Sequence, residues 1–238
     1  MSDKQFVKFP RTPYLIEPSV STSRQDKVLT KEEAMPFFSE SVIIEEKIDG
    51  ANLGISFNVD GTICLQNRGH YLSHPFSGQW ELLPNWLNGK SDSLFDVLLD
   101  RYILFGEWCY VTHSIYYENL PDWFIAFDLF DKESNQFLSV NDRNYLIDKI
   151  GLVIVPQLYK GQITKLALNS FIGRSSYSKE YCEGLYFRID SDHYNRRRAK
   201  YVRSDFVQSI NSHWSKSQIT HNRLYGLNTN NILDWHIE

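Results

Sequence analysis

An α+β fold built on antiparallel sheets is what this chain predicts, and three observations carry it. Leu53, Ile55, Phe57 and Val59 alternate with Gly54, Ser56 and Asn58 and run into Asp60-Gly61, a hairpin turn pair, before Ile63 and Leu65 resume. Leu185, Phe187 and Ile189 alternate in the same way, and residues 199–202 supply them with a partner strand. The helical segments are short and do not recur in a strand–helix–strand series, which argues against a parallel doubly wound sheet.

In chain order, residues 1–30 read as loop, because Pro10, Pro13 and Pro18 interrupt any regular element. Thr30 with Glu33 three residues on is a capping box that opens a short helix reaching about Phe38. Residues 42–59 read as strand, 76–101 as helix mixed with loop around Trp80, Leu83, Trp86 and the apolar run 94–99, and 102–110 and 123–130 as buried strands. Residues 141–150 suit a helix, 153–158 a short strand and 165–172 a short helix. Phe206, Ile210 and Trp214 recur every four residues, one face of a closing helix. The expected organisation is one domain over 1–205 with a short helical extension, 206–238, packed on it.

With 238 residues, the chain can bury a substantial core unaided. Its 42% apolar content, with only 12 glycines and 8 prolines, excludes a disordered or collagen-like chain. No apolar run reaches membrane-spanning length, and Met1-Ser2-Asp3-Lys4 opens a polar stretch rather than a signal segment. Cys64, Cys109 and Cys182 are too few and scattered for a disulfide framework or a zinc site, which fits a reducing, cytoplasmic setting. The absence of heptads fits a monomer. A net charge of −4 gives no global basic field. Arg188, Arg196, Arg197, Arg198, Lys200 and Arg203 nonetheless form one basic strip, opposed only by Asp190 and Asp192, that could hold a polyphosphate or a nucleic-acid backbone.

The densest chemistry is Glu45-Glu46-Lys47-Ile48-Asp49-Gly50-Ala51-Asn52, set between apolar strand segments. A lysine there becomes a nucleophile when burial and nearby positive charge lower its pKa; the competing reading is a turn whose charges face water. Glu107 lies in the apolar run 103–109, where a carboxylate is expensive to bury without hydrogen bonds or a metal. Gly106 beside it suits either a ligand's close approach or a bulge. His113 is a substrate-surface candidate or an ordinary loop histidine. His70 and His74 are four apart, but Ser73 and Pro75 leave no helix to present both to a metal. Cys109 reads as strand packing.

Lys47-Ile48-Asp49-Gly50 resembles the Lys-x-Asp-Gly signature of the covalent nucleotidyltransferases, the superfamily of polynucleotide ligases and messenger-RNA capping enzymes. Five further elements resemble that superfamily's in the same order: Asn67-Arg68-Gly69, Phe105-Gly106-Glu107, Phe124-Ile125-Ala126-Phe127-Asp128, Glu183-Gly184-Leu185, and the basic run from Arg198 through Lys200 to Arg203. The resemblance implies an adenylation domain, ATP-grasp-like, on antiparallel sheets with flanking helices. It implies Lys47 as the residue carrying AMP, with a pKa depressed by cations such as Lys200, and Glu183, Lys200 and Arg198 as its catalytic companions. Glu46, Asn52, Arg68, Glu107, Phe127 and Arg203 are implied to bind the nucleotide, Glu107 through the ribose and Phe127 by stacking on the base. Glu183 and Asp49 are implied to serve a magnesium ion, for which manganese can substitute. The last element departs from the usual lysine–any–lysine pattern. Arg198-Ala199-Lys200 is the preferred register; the alternative, Lys200-Tyr201-Val202, would put an apolar residue in place of a lysine.

Within the superfamily, residues 46–52, Thr12-Pro13 and His113-Ser114-Ile115 most resemble RNA ligases that repair nicked duplexes, in particular their small stand-alone members. Only 35 residues follow Arg203, too few for the oligonucleotide-binding-fold domain of capping enzymes and most DNA ligases. The implied reaction joins a 5′-phosphate to a 3′-hydroxyl on RNA ends, nicked or broken, with an end-processing kinase-phosphatase as a candidate partner. The alternatives are a DNA or mixed-substrate ligase, a capping-like enzyme, or an inactive nucleotide- or RNA-binding module.

Overall fold

The computed structural model describes residues 6–18, 26–204, 206 and 219–226. Ten strands and five helices alternate along them: α1 (Lys31–Ala34), α2 (Pro36–Ser39), β1 (Val42–Lys47), β2 (Ala51–Phe57), β3 (Ile63–Gln66), α3 (Leu83–Asn88), α4 (Ser91–Leu98), β4 (Tyr102–Trp108), β5 (Phe124–Asp131), β6 (Gln136–Phe137), α5 (Val140–Ile150), β7 (Val153–Ile154), β8 (Gln157–Gly161), β9 (Gly184–Asp190) and β10 (Asn195–Val202). One sheet has the order β10-β9-β1-β8; the other runs β3-β2-β4-β5-β6, with β7 parallel to β5. Every other pairing is antiparallel, as expected for α+β. Tyr14, bridged to both Lys200 and Val28, extends the first sheet beyond β10. Among the described residues no helix is long and apolar enough to cross a membrane.

The stretch 42–59 is not one strand. It breaks at Ile48–Gly50, and β1 and β2 enter different sheets. Gly50 permits the crossover, since a Cβ there would sit 2.9 Å from the Trp108 carbonyl oxygen. The Asp60-Gly61 hairpin forms as expected, with Gly61 at φ +78. The Thr30–Glu33 capping box forms too, but Pro36 divides the helix behind it in two. Pro156 likewise divides 153–158 between β7 and β8, which pair with different sheets. The closing helix expected from Phe206 lies outside the described residues, Phe206 itself excepted.

Period-2 alternation sorts the side chains of the first sheet. Val42 and Ile44 of β1, Leu185, Phe187 and Ile189 of β9 and Ala199 of β10 join Ala34, Phe37 and Leu168 in one apolar core. The second sheet buries Leu53, Ile55, Leu104, Trp108, Phe124 and Leu129 with Leu83, Leu94, Leu98 and Ile147 of the helices. Each sheet is thus covered on its outer face, and between the inner faces lie charged side chains together with a cluster of Phe9, Ile103, Phe105 and Phe130. That layer contains the candidate site.

Candidate active site

Three cross-strand rows line the inner face of the first sheet. Lys47, Gly184 and Val202 are directly opposed; Glu45, Tyr186 and Lys200 form the next row; Ile43, Arg188 and Arg198 form the third. From the second sheet Asn52 stands directly opposite Glu107, and Gly54 opposite Phe105. The first sheet therefore brings the nucleophile candidate and the basic element together, and the second supplies the carboxylate and amide facing them.

Lys47 ends β1, where the chain leaves one sheet for the other, and its Nζ lies 2.5 Å from Glu183 Oε2. Burial pulls the Lys47 pKa down, but Glu183, Glu107 and Asp49 together outweigh it and hold the ammonium above its ordinary value. The expectation of a depressed Lys47 pKa is corrected: three carboxylates surround this amine, and the Lys200 cation does not offset them. Burial also raises Glu183 above the carboxylate range, opposed only in part by Lys47. Glu107 is pushed up to about 8, by burial first, with Lys47 opposing and Glu183 adding to the rise. Glu107 Oε2 and both amide atoms of Asn52 are buried without a hydrogen-bond partner. A buried carboxylate and a buried amide, adjacent and unsatisfied, fit a polar ligand with both donors and acceptors.

Arg68 is exposed on the loop after β3, where Asn67 Oδ1 accepts the N–H groups of Gly69 and His70 in a tight turn. Its charge reaches both Glu107 and Asp26. Phe127 is the extra residue where the β4–β5 register shifts, so the shift belongs to strand packing. Gly106 serves that packing rather than a ligand, because a Cβ there would meet the Phe124 ring at 2.4 Å. The half-buried Phe127 ring meets Phe9 edge-on with centroids 5.2 Å apart. Arg203 donates its backbone N–H to Glu183 O at 3.1 Å, and its guanidinium lies 5.5 Å from the Tyr181 ring centroid.

Three of the expected site residues make contacts that their motifs do not announce. Strand alternation turns Glu46 away from Lys47, and its buried carboxylate takes Ser175 Oγ at 2.5 Å and Ser176 N–H at 3.0 Å. Arg198 faces inward, donates to Asp128 Oδ2 at 2.8 Å and lies 3.8 Å over the Phe137 ring centroid. Asp49 Oδ2 accepts the N–H groups of Ser114 and Ile115 at 2.7 and 3.1 Å, which ties it to that loop. Among the described residues no group of three His, Cys, Asp or Glu side chains is arranged to hold a metal ion.

Lys200 is the cation whose charge bears on both Lys47 and Glu183, which supports the register ending on it. Its Nζ lies 2.5 Å from Asp26 Oδ2 and 4.3 Å from the Tyr14 ring centroid. Burial lowers the Lys200 pKa, Lys47 adds to that, and Asp26 opposes it. Sequence reasoning missed Asp26, because it lies in a Pro-broken stretch and reaches Lys200 only once Tyr14 joins the sheet. It also missed Arg143, which grips Glu45 through Nη2 at 2.5 Å and Nη1 at 3.1 Å and reaches the Phe127 carbonyl oxygen. His113 contacts Gln79 at 3.0 Å, and His70 contacts Asn67.

The fold is shared with solved structures of an RNA ligase from Naegleria gruberi. The form with pyrophosphate matches at TM-score 0.59 and 18% identity, covering 86% of this chain and 60% of that one. A mutant with ATP and Mn matches at TM-score 0.58 and 17% identity, covering 84% and 59%. Another mutant, with AMP and Mn, matches at TM-score 0.57 and 16% identity, covering 84% and 59%. This chain thus spans about three fifths of the length of those proteins. No curated protein matches it. The RNA ligase family model matches residues 40–202, which takes in every strand described above and both Lys47 and Lys200, and the chain belongs to the RNA ligase family.

Proposed function

We propose that this protein is an ATP-dependent RNA ligase that works through AMP carried on Lys47. The observation that carries the reading is the Lys47 amine held against Glu183, with the unsatisfied Asn52 and Glu107 side chains across the cleft. Adenine and ribose offer the mixed donors and acceptors those two side chains lack, and Phe127 and Arg68 flank the space. The N. gruberi ligase structures with ATP and Mn, and with AMP and Mn, support ATP and a divalent metal as the ligands. Magnesium or manganese would be held by Glu183 together with the phosphates, and would supply charge neutralisation at the transferring phosphoryl group.

The Lys47 ammonium must lose a proton before it attacks. Glu183, 2.5 Å away, would orient the amine, and the proton passes to water before the attack. The amine nitrogen bonds to the α-phosphorus, the bond to the β-phosphate bridging oxygen breaks, and pyrophosphate leaves with that electron pair. Lys200 stabilises the charge on the transferring group. A 5′-phosphate on RNA then displaces Lys47 from AMP. The 3′-hydroxyl of the second end attacks that activated phosphate, loses its proton, and AMP departs as the phosphodiester forms.

The domain over residues 1–205, a monomer in the cytoplasm acting on nicked or broken RNA ends supplied by an end-processing kinase-phosphatase, completes the proposal. The test is incubation with ATP labelled at the α-phosphate and magnesium, followed by denaturing gel electrophoresis, with GTP label in parallel. An ATP-specific adduct absent from Lys47→Ala is expected, and joining of a nicked RNA duplex but not a nicked DNA duplex follows from the RNA reading. No adduct after removal of pre-bound AMP, with magnesium or manganese, would make the protein a nucleotide- or RNA-binding module.

A further inference from the structure

The turn that carries the nucleophile is held by a loop, and that loop is held by a distant segment of the chain. Asp49, two residues after Lys47, makes three hydrogen bonds to residues 114–117. Its Oδ2 accepts from Ser114 N and Ile115 N, and its own N–H donates to Tyr117 Oη at 2.8 Å. Tyr117 is fully buried, so its phenol is a fixed anchor.

Residues 219–226 lie along this same loop. Thr112 N–H donates to Thr220 O, Asn222 N–H to Tyr110 O, Arg223 N–H to Tyr117 O, Leu120 N–H to Arg223 O and Tyr225 N–H to Leu120 O. His221 stacks on Tyr110 with ring centroids 4.4 Å apart. At the centre of the contact Asn222 is 3% exposed, and its amide is saturated. Oδ1 accepts from Thr112 Oγ1 and Tyr117 N, both at 2.9 Å; Nδ2 donates to Cys109 O at 2.8 Å and to Val111 O at 3.4 Å. Only a carboxamide of this size presents two acceptor sites to one side and two donors to the other. Cys109 and Val111 lie just beyond β4, the strand carrying Glu107, so this one side chain ties the end of that strand to the Tyr117 anchor of Asp49.

We propose that Asn222 is a positioning residue for the adenylation step: it fixes loop 109–120 so that Ser114, Ile115 and Tyr117 hold Asp49, and with it the Lys47 turn, in attacking geometry. The proposal rests on the ligase reading. Asn222 touches none of Asn52, Arg68, Glu107 or Lys200, so its loss acts on the transfer rate rather than on nucleotide affinity.

The test substitution is Asn222→Asp, which keeps the shape and both acceptors but removes the donors to Cys109 and Val111. Single-turnover transfer of labelled AMP to the protein should slow about tenfold while the ATP KM moves by less than about threefold. Hydrogen exchange should speed up at the Asp49, Ser114 and Ile115 amides and stay unchanged in β9 and β10. A folded variant with wild-type transfer and wild-type loop protection overturns the proposal, as does a loss expressed only in KM. Thr112→Val, which removes one of the bonds to Oδ1, carries the same test in milder form if Asn222→Asp does not fold. A wild-type protein that forms no adduct defeats the ligase reading instead, and the exchange measurement then decides the placement of the loop by itself.

Discussion

At one end of the layer between the sheets Arg188, Asp128 and Arg198 lock together, and at the other Lys47, Glu183, Glu107 and Asn52 face one another. Arg188 and Asp128 are fully buried, whereas the Lys47 side chain is 25% exposed. The two clusters also differ in pairing: of the first, only Arg188 Nε is buried without a hydrogen bond, and it lies 3.6 Å from Asp190 Oδ1. Asp128 is fully buried and takes Arg188 Nη1 and Arg198 Nη1 at 2.8 Å each, while Arg188 Nη2 donates to Leu138 O at 2.7 Å. Across the cleft Glu107 and Asn52 leave three buried atoms unsatisfied. A closed ionic cluster is a scaffold, because the cost of desolvating its charges is already offset by its partners. An open cluster is tolerated only where a ligand completes it. The sheets are held by the first so that the second can stay open.

The largest effect should come from breaking the closed end. Asp128→Ala strands two guanidiniums and should destabilise the fold by about 3–5 kcal/mol, read as a lower urea midpoint. A cost under about 1 kcal/mol would mean that the ionic cluster is not the scaffold.

The open end should behave in the opposite sense. Glu107→Gln removes a buried carboxylate with no partner on Oε2, so stability should hold or rise while adduct formation falls by about 10- to 100-fold through lost ligand hydrogen bonds. The pH dependence gives the sign independently. With its pKa raised from 4.5 to about 8, folded Glu107 keeps a proton that the unfolded chain releases. Its contribution to stability is thus complete below about 4.5 and is lost as the pH rises through 8. Stability curves of wild type and Glu107→Gln should diverge across that window in favour of the variant, and parallel curves would sink the assignment.

The two ends also differ in how far the chain discloses them. Lys47, Asn52, Glu107, Glu183 and Lys200 sit in short contiguous elements that the sequence marks out, although only sheet register brings them together. Alternation likewise exposes the β2–β3 and β9–β10 hairpins. Glu45 with Arg143, Arg188 with Asp128 and Asn222 with Tyr117 are separated by 98, 60 and 105 residues, and nothing local in either partner announces the pair. The Ile48–Gly50 crossover is hidden for a related reason. A strand that changes sheet keeps its apolar pattern on both sides of the break, so residues 42–59 look continuous. The partners of Glu46 and Arg198 are hidden as well, because a motif supplies neighbours in sequence, whereas a side chain's partner depends on which face of its strand it takes.

Glu46 is a smaller test of that last point. Glu46→Ala should cost about 1–3 kcal/mol, because Ser175 Oγ and Ser176 N–H lose their buried acceptor. The ATP KM should stay close to wild type, since the carboxylate lies on the face away from Lys47. A KM increase without a stability change would return Glu46 to the nucleotide and contradict the alternation of β1.

The smallest loss of stability, and the finest division between scaffold and site, is expected at Asp26. Its carboxylate is held by Lys200 at 2.5 Å and by Arg11 at 3.7 Å, and despite burial it stays below the ordinary carboxylate range. It is a closed pair reaching into the open end. Asp26→Asn keeps an acceptor for Lys200 Nζ in place of the buried charge, so stability should fall by about 1–2 kcal/mol. Lys200 loses the charge that opposes its burial and its repulsion by Lys47, so its pKa should fall further. Lys200 must be an ammonium to stabilise the transferring phosphate, and the alkaline limb of the adenylation profile should therefore move to lower pH. Asp26→Glu should restore part of the shift. An unmoved alkaline limb would assign the high-pH limit to a group other than Lys200 and leave Asp26 with the scaffold.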